Sequence, residues 1–257
     1  MSTIRFIGRV IPATYHITLP FLMAGQWKDD DVDYFCTYQV TIKDNIVVAD
    51  CDVNDYERAT HIPRLLLRAI TISQGAVDLV AFSLGAPLSV IFETFAEPGG
   101  ENLPLHVRDS DLATLVTAFS LDTPEFQKVL KIVIEEPNLF HALRDLIDAT
   151  SAAYKVVPHC AKAIETLRAL LTPPGVDRKQ GWSIMCKNLQ VGADYLKLIT
   201  DQSKAPRHGD HQAILGTITE EVSRRSWIVM NRFLEFRKRG SQPLPLDQFP
   251  LLTGCRD

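Results

Sequence analysis

The chain has 257 residues, 46% of them hydrophobic and 23% charged, with a formal net charge of -4. That balance supplies a real core. It excludes a protein that coats nucleic acid through its overall charge, so any RNA or DNA contact must come from a local patch. The length fits one large domain or two small ones.

From Ile4 to Val53 the pattern is strand-like, with Ile4, Phe6, Tyr15, Ile17 and Leu19 alternating with polar neighbours. Tyr34 to Ile42 and Ile46 to Val53 flank Asp44-Asn45, two residues that accept left-handed backbone angles, which predicts a hairpin. The acidic run Asp29-Asp30-Asp31 before it reads as a solvated loop. A helix follows, capped by Asn54 or Thr60 and with Pro63 in its first turn. Leu66, Ile70, Val77, Val80 and Leu84 form its stripe, Gln74-Gly75 is a possible bend and Gly85 is the stop. Leu88 to Phe95 predicts a further strand, and Leu103 to Val107 a short edge strand.

After Arg108 the strand signals cease. Short helices are expected over 111–121 and 124–135, then one opening at Pro137-Asn138, one over 158–171 stopped by Pro173-Pro174-Gly175, and two more over 181–189 and 194–199. The longest helix carries Leu215, Ile218, Val222, Val229, Phe233 and Phe236 at spacings of three and four and ends at Gly240. The tail with Pro243, Pro245 and Pro250 reads as an extended strap or a disordered end. The expected fold is therefore α+β: a β-rich module with one packed helix over 1–108, an all-helical bundle over 109–240 and a Pro-rich tail over 241–257.

Nothing at Met1 to Arg5 resembles a secretory signal. The best apolar run, Ala76 to Leu84, is short for a membrane span and contains Asp78, so a cytoplasmic protein without a membrane partner is expected. Cys36, Cys51, Cys160, Cys186 and Cys255 form no CxxC pair, which points to reduced thiols and to no zinc site; no cofactor is expected either. Phosphate-loop, dinucleotide-binding, nucleophile-elbow and zincin motifs are all missing.

The segment Ser203-Lys204-Ala205-Pro206-Arg207-His208-Gly209-Asp210-His211 concentrates two cations and two histidines just before the longest helix. A helix N-terminus favours anions such as phosphate and keeps a nearby imidazole neutral, able to act as a base. The other reading is ordinary loop chemistry, with Asp210 as an N-cap and the histidines exposed. On the final helix Arg224, Arg225, Arg232, Arg237, Lys238 and Arg239 give a basic flank. Part of it is neutralised by Glu221 and Glu235 at four-residue spacing, and the remainder is a solvated face or a phosphate-contacting surface. Tyr195, Trp182 and Trp227 could stack on a base or fill the core.

Tyr154 to Arg168 (YKVVPHCAKAIETLR), the helix with Gly181-Trp182 and the Lys204 to His211 segment leading into a long helix together resemble HEPN domains, as found at the carboxyl end of bacterial defence and abortive-infection proteins. The resemblance is confined to the helical half and implies a homodimer through the C-terminal helices. It also implies either metal-independent cutting of RNA or RNA binding by an inactive relative. Two registers are open, Arg207 with His211 or His208-Gly209 as the family's His-Gly. In either, His208 or His211 would take the proton from a ribose 2′-OH, which attacks the adjacent phosphorus. Arg207 would stabilise the developing charge, Lys204 would add positive potential and Glu165 would orient a histidine. Arg225 and Arg232 would extend the contact with single-stranded RNA. The rival expectation is a non-catalytic dimeric sensor or scaffold whose β-rich half binds a ligand or partner.

Overall fold

The computed structural model describes residues 1–20, 23–29, 34–105, 110–121, 123–150, 153–203 and 216–254. The chain divides into two compact units, Met1–Arg108 and Asp109–Asp257, the α+β division expected where period-two alternation gives way to helical spacing.

The first unit is an antiparallel sheet in the order β2-β3-β4-β1-β5-β6. Its strands are β1 (Ser2–Ile11), β2 (Met23–Asp29), β3 (Tyr34–Lys43), β4 (Ile46–Val53), β5 (Ser89–Ala96) and β6 (Asn102–Pro104). Asp44 and Asn45 turn β3 into β4 with φ of 49° and 66°, the left-handed pair a tight hairpin requires. The expected strand over Tyr15 to Leu19 is instead irregular chain laid against that turn. Ile17 donates its N–H to Asn45 Oδ1 at 2.6 Å, and Leu19 N–H reaches Ile42 O at 2.9 Å. Its alternation still has a physical cause, since Ile17 is buried. The strand itself falls at β2, on the sheet edge, paired only with β3.

Alternation buries one sheet face: Ile4, Phe6 and Val10 of β1 and Val47, Ala49, Cys51 and Val53 of β4. Between Ile7 and Gly8 the register with β5 shifts. A Cβ on Gly8 would collide with Ile91 O, so only glycine permits this approach. The opposite face is wet and paired in charge. Arg5 forks onto both oxygens of Asp50 at 2.7 and 3.0 Å, and Arg9 meets Glu93 at 2.8 Å. Helix α1 (Arg58–Leu84) covers the buried face with Leu65, Leu66, Ala69 and Val77. It starts at Glu57 without a side-chain cap, runs unbroken through Gly75 and ends at Gly85 in the left-handed region, φ 60°. Asn54 and Thr60 are thus not its caps. By length and composition His61–Leu84 is apolar enough to cross a membrane. Its inner residues nevertheless build the sheet's core.

The second unit comprises α2 (Ser110–Thr114), α3 (Pro124–Glu135), α4 (Pro137–Ala149), α5 (Ala153–Leu171), α6 (Arg178–Leu189), α7 (Ala193–Asp201) and α8 (Gly216–Lys238). Helix α2 ends well before Leu121, and α5 starts five residues ahead of Pro158, which it accommodates internally. Helix α8 lies against α2, α3, α4, α5, α6 and α7, so Val222, Val229, Met230, Phe233, Leu234 and Phe236 are all buried in its own bundle. The apolar stripe read as a dimer seam is covered within the chain along these residues.

The tail is a strap. Leu244 is 1% exposed, its N–H bonds Asn188 O at 2.9 Å, and Leu252 forms a parallel bridge with Val191.

Candidate functional site

Lys204, Arg207, His208 and His211 lie outside the described residues. The three other residues singled out in the sequence, Glu165, Arg225 and Arg232, are described, and their surroundings divide them.

Arg225 and Arg232 are not a phosphate-contacting surface. Arg225 is 5% exposed: its Nε donates to Glu221 Oε1 at 2.7 Å, its terminal nitrogens donate to Tyr195 O and Gly254 O at 3.2 Å each, and it lies 4.5 Å from the Tyr195 ring. Arg232 donates to Leu189 O, Gln190 O and Pro250 O at 3.0, 2.6 and 2.8 Å. Burial lowers its pKa from the usual arginine value. Both side chains point inward because the tail returns over α8 and offers carbonyls that need donors. What remains of the basic flank is tied down in part. Arg237 pairs with Glu136 at 3.6 Å, Lys238 with Glu235 at 2.9 Å and Arg239 with Glu235 at 3.4 Å. Tyr195 is core, and Trp182 and Trp227, both half-buried, pack against that same core.

Glu165 sits elsewhere, on α5, where Lys162, Glu165 and Arg168 recur every third residue and so project from one side. Its carboxylate receives Arg168 Nε at 3.3 Å and also Arg178 from the first turn of α6. Among the described residues no histidine touches it, so its expected role as an orienter of histidine is replaced by a pairing with two guanidinium groups.

These residues, with Asn138 of α4 and Thr166, line an open cleft of about 700 Å³. The α5–α6 connection sets its shape. Asp177 caps α6 by accepting Gln180 N–H at 2.8 Å, and Gly175 turns the loop at φ 82°. Gly181 lets the two helices meet: a Cβ there would strike Thr172 Oγ1 and stand 3.1 Å from Arg168 Nη1. Arg168 is held over the Trp182 ring at 5.6 Å, whereas Arg178 is two-thirds exposed at the rim. Lys162 Nζ is tethered at 3.0 Å to Asp145 Oδ1, a carboxylate only 6% exposed. His159 Nδ1 approaches that same oxygen at 3.3 Å without hydrogen-bond alignment.

The arrangement is suited to holding an anion. Arg178 can exchange Glu165 for a phosphate oxygen while Arg168 and Lys162 stay in place, a bidentate geometry that guanidinium groups favour. Among the described residues no histidine lines the cleft. Among the described residues there is also no cluster of His, Cys, Asp and Glu able to hold a metal.

Residues 4–105 match the family model described as the N-terminal domain of a domain of unknown function, DUF8168, and residues 126–238 match the model of the DUF8168 C-terminal domain. It carries both DUF8168 domains. Their limits fall inside the two compact units, and the C-terminal DUF8168 domain contains the whole cleft, from Asn138 to Arg178. No curated protein and no solved structure matches the chain.

Sequence reasoning singled out Glu165 but passed over Lys162, Arg168 and Arg178. The three-residue spacing of the first two was available as a signal. The approach of Arg178 depends on the Pro173-Pro174-Gly175 turn folding α6 back, which spacing alone does not reveal.

Proposed function

We propose that this is an RNA-directed protein in which the α5–α6 cleft holds a phosphate of single-stranded RNA. In that reading it is a metal-independent endoribonuclease or the RNA-binding relative of one. The observation that carries the reading is the convergence of Lys162, Arg168 and Arg178 on one open cleft, where Glu165 is the only carboxylate among the described lining residues. The resemblance to HEPN domains supports it and implies a role in bacterial defence. In the enzyme form, the reactive groups are those of the Lys204–His211 segment. A neutral His208 or His211 removes the 2′-OH proton, the oxygen attacks phosphorus, and Arg207 stabilises the charge, leaving a 2′,3′-cyclic phosphate and a 5′-hydroxyl.

The test is fluorescence anisotropy with a labelled single-stranded RNA across a salt series, followed by gel analysis in EDTA. Arg178→Ala and Lys162→Ala each weaken binding and reduce the salt slope by about one. If the protein cuts, His208→Ala or His211→Ala lowers the rate by about 100-fold. Binding that is absent, or indifferent to Arg178 and Lys162, rejects the cleft and favours the rival sensor or scaffold reading.

A further inference from the structure

One buried carboxylate in the helical domain is only half satisfied. Asp145 on α4 is 6% exposed, and its Oδ2 has no hydrogen-bond partner among the described residues. Its Oδ1 accepts Lys162 Nζ from α5 at 3.0 Å and lies 3.3 Å from Nδ1 of His159, one turn earlier on the same helix. That Nδ1 is itself buried and unpartnered. Burying either atom without a partner is unfavourable, yet here the two groups stand side by side. Turning the imidazole would set its Nδ1–H on the carboxylate. The rest of the ring is open: 31% of the His159 side chain is exposed although Nδ1 is not, which leaves Nε2 on the outer edge. Lys162 connects this couple to the anion cleft, because it lines the cleft and shares one Asp145 oxygen with His159.

We propose that His159 is the general acid of the cleft, with Asp145 as its positioning residue. The inference rests on the cleft holding an RNA phosphate, and it fills a step that a base at His208 or His211 leaves open. Attack of the 2′-oxygen on phosphorus breaks the bond from phosphorus to the 5′-oxygen. The electron pair goes to that departing oxygen, which needs a proton. A protonated imidazole donates from both nitrogens. Nδ1–H goes to Asp145, which fixes the ring, and the Nε2 proton passes to the 5′-oxygen. The 2′,3′-cyclic phosphate and the 5′-hydroxyl follow with no further reactant. A clamp between α4 and α5 needs only Lys162 on Asp145. It gives no reason for an imidazole that turns one nitrogen toward the same carboxylate and the other edge outward.

The test uses the full chain and single-stranded RNA in EDTA, with the cleavage site mapped on the wild type. His159→Ala should slow cleavage by about 100-fold while leaving the RNA dissociation constant unchanged. The same RNA with sulfur in place of the bridging 5′-oxygen at that site has a leaving group that departs without a proton. On it His159→Ala should cut at close to the wild-type rate, whereas loss of the base, His208 or His211, should slow both substrates. His159→Gln, which donates a hydrogen bond but gives up no proton, should behave as His159→Ala does. Asp145→Asn keeps an acceptor for Lys162, so it should slow cutting of the oxygen substrate by about tenfold or more and of the sulfur substrate little. Circular dichroism checks each variant, and His159→Gln carries the test if the others lose helix. A wild type that binds RNA without cutting it, a His159→Ala protein that cuts normally, or an equal loss on both substrates overturns the proposal and leaves the cleft standing. RNA binding that is indifferent to Arg178→Ala rejects the cleft itself, and the acid with it.

Discussion

The two long helices of this protein invert what their sequences suggest. Helix α8 carries a broken apolar stripe flanked by arginines and reads as a surface element with a seam to spare, yet it is the centre of its bundle. Helix α1 reads as an ordinary amphipathic helix against a sheet, yet its outward side is apolar at Leu79 and Phe82. The difference lies in what surrounds each. A sheet covers one side of a helix, whereas six neighbouring helices and a returning tail cover nearly all of one, charged residues included. Apolar spacing shows that a helix has something to bury. It does not show how many neighbours will do the burying.

The largest effect expected from this contrast is in the core. Phe233→Ala on α8, at a position with no exposure, should cost about 3–5 kcal/mol in urea unfolding. Phe82→Ala on α1, at a position 90% exposed, should change stability by no more than about 0.5 kcal/mol. Equal effects would erase the distinction. A middle-sized effect sharpens it. Arg232→Ala should cost about 1–3 kcal/mol by stranding the carbonyls of Leu189, Gln190 and Pro250, and should expose the tail to protease, while leaving untouched the RNA affinity proposed for the α5–α6 cleft. A loss of affinity in a folded Arg232→Ala protein would return α8 to the surface.

The smallest effect is one of pH. The Gly254 N–H, 2.5 Å from Asp194 Oδ2, holds the Asp194 carboxyl below its usual pKa. A depressed folded pKa means that the contribution is present above the ordinary aspartate range and disappears as pH falls through the folded value. Protection of the Gly254 amide, measured against its intrinsic exchange rate at each pH, should therefore fall on acidification, and Asp194→Asn should remove that dependence. An unchanged profile in Asp194→Asn would assign the effect to another group.

Much of the fold was legible because its signals are local. Asp44-Asn45 specifies a turn, Pro124 and Pro137 open helices at their first positions, and the change of period near Arg108 marks the domain boundary. Strand β2 was not legible, since an edge strand with Gly25-Gln26 inside it has little need to alternate. The fates of Arg225 and Arg232 were hidden for a different reason. Their partners are backbone carbonyls, which carry no sequence signature, some of them supplied by a tail whose prolines fit a docked strap and a loose end alike. In the cleft, the Lys162–Arg168 row is local to α5, but Arg178 arrives through a chain reversal.

That tail also has a consequence for the order of events during synthesis. The sheet and α1 close on themselves within Met1–Arg108, so the first domain can fold while later residues are still being added. The helical domain has to wait. Until residues 241–254 have emerged, Arg232 lacks Pro250 O, Arg225 lacks Gly254 O and the apolar place taken by Leu244 stands open, so the nascent bundle carries unsatisfied guanidinium donors in its interior. A ribosome that pauses after Gly240 would hold a finished first domain beside an unfinished second one.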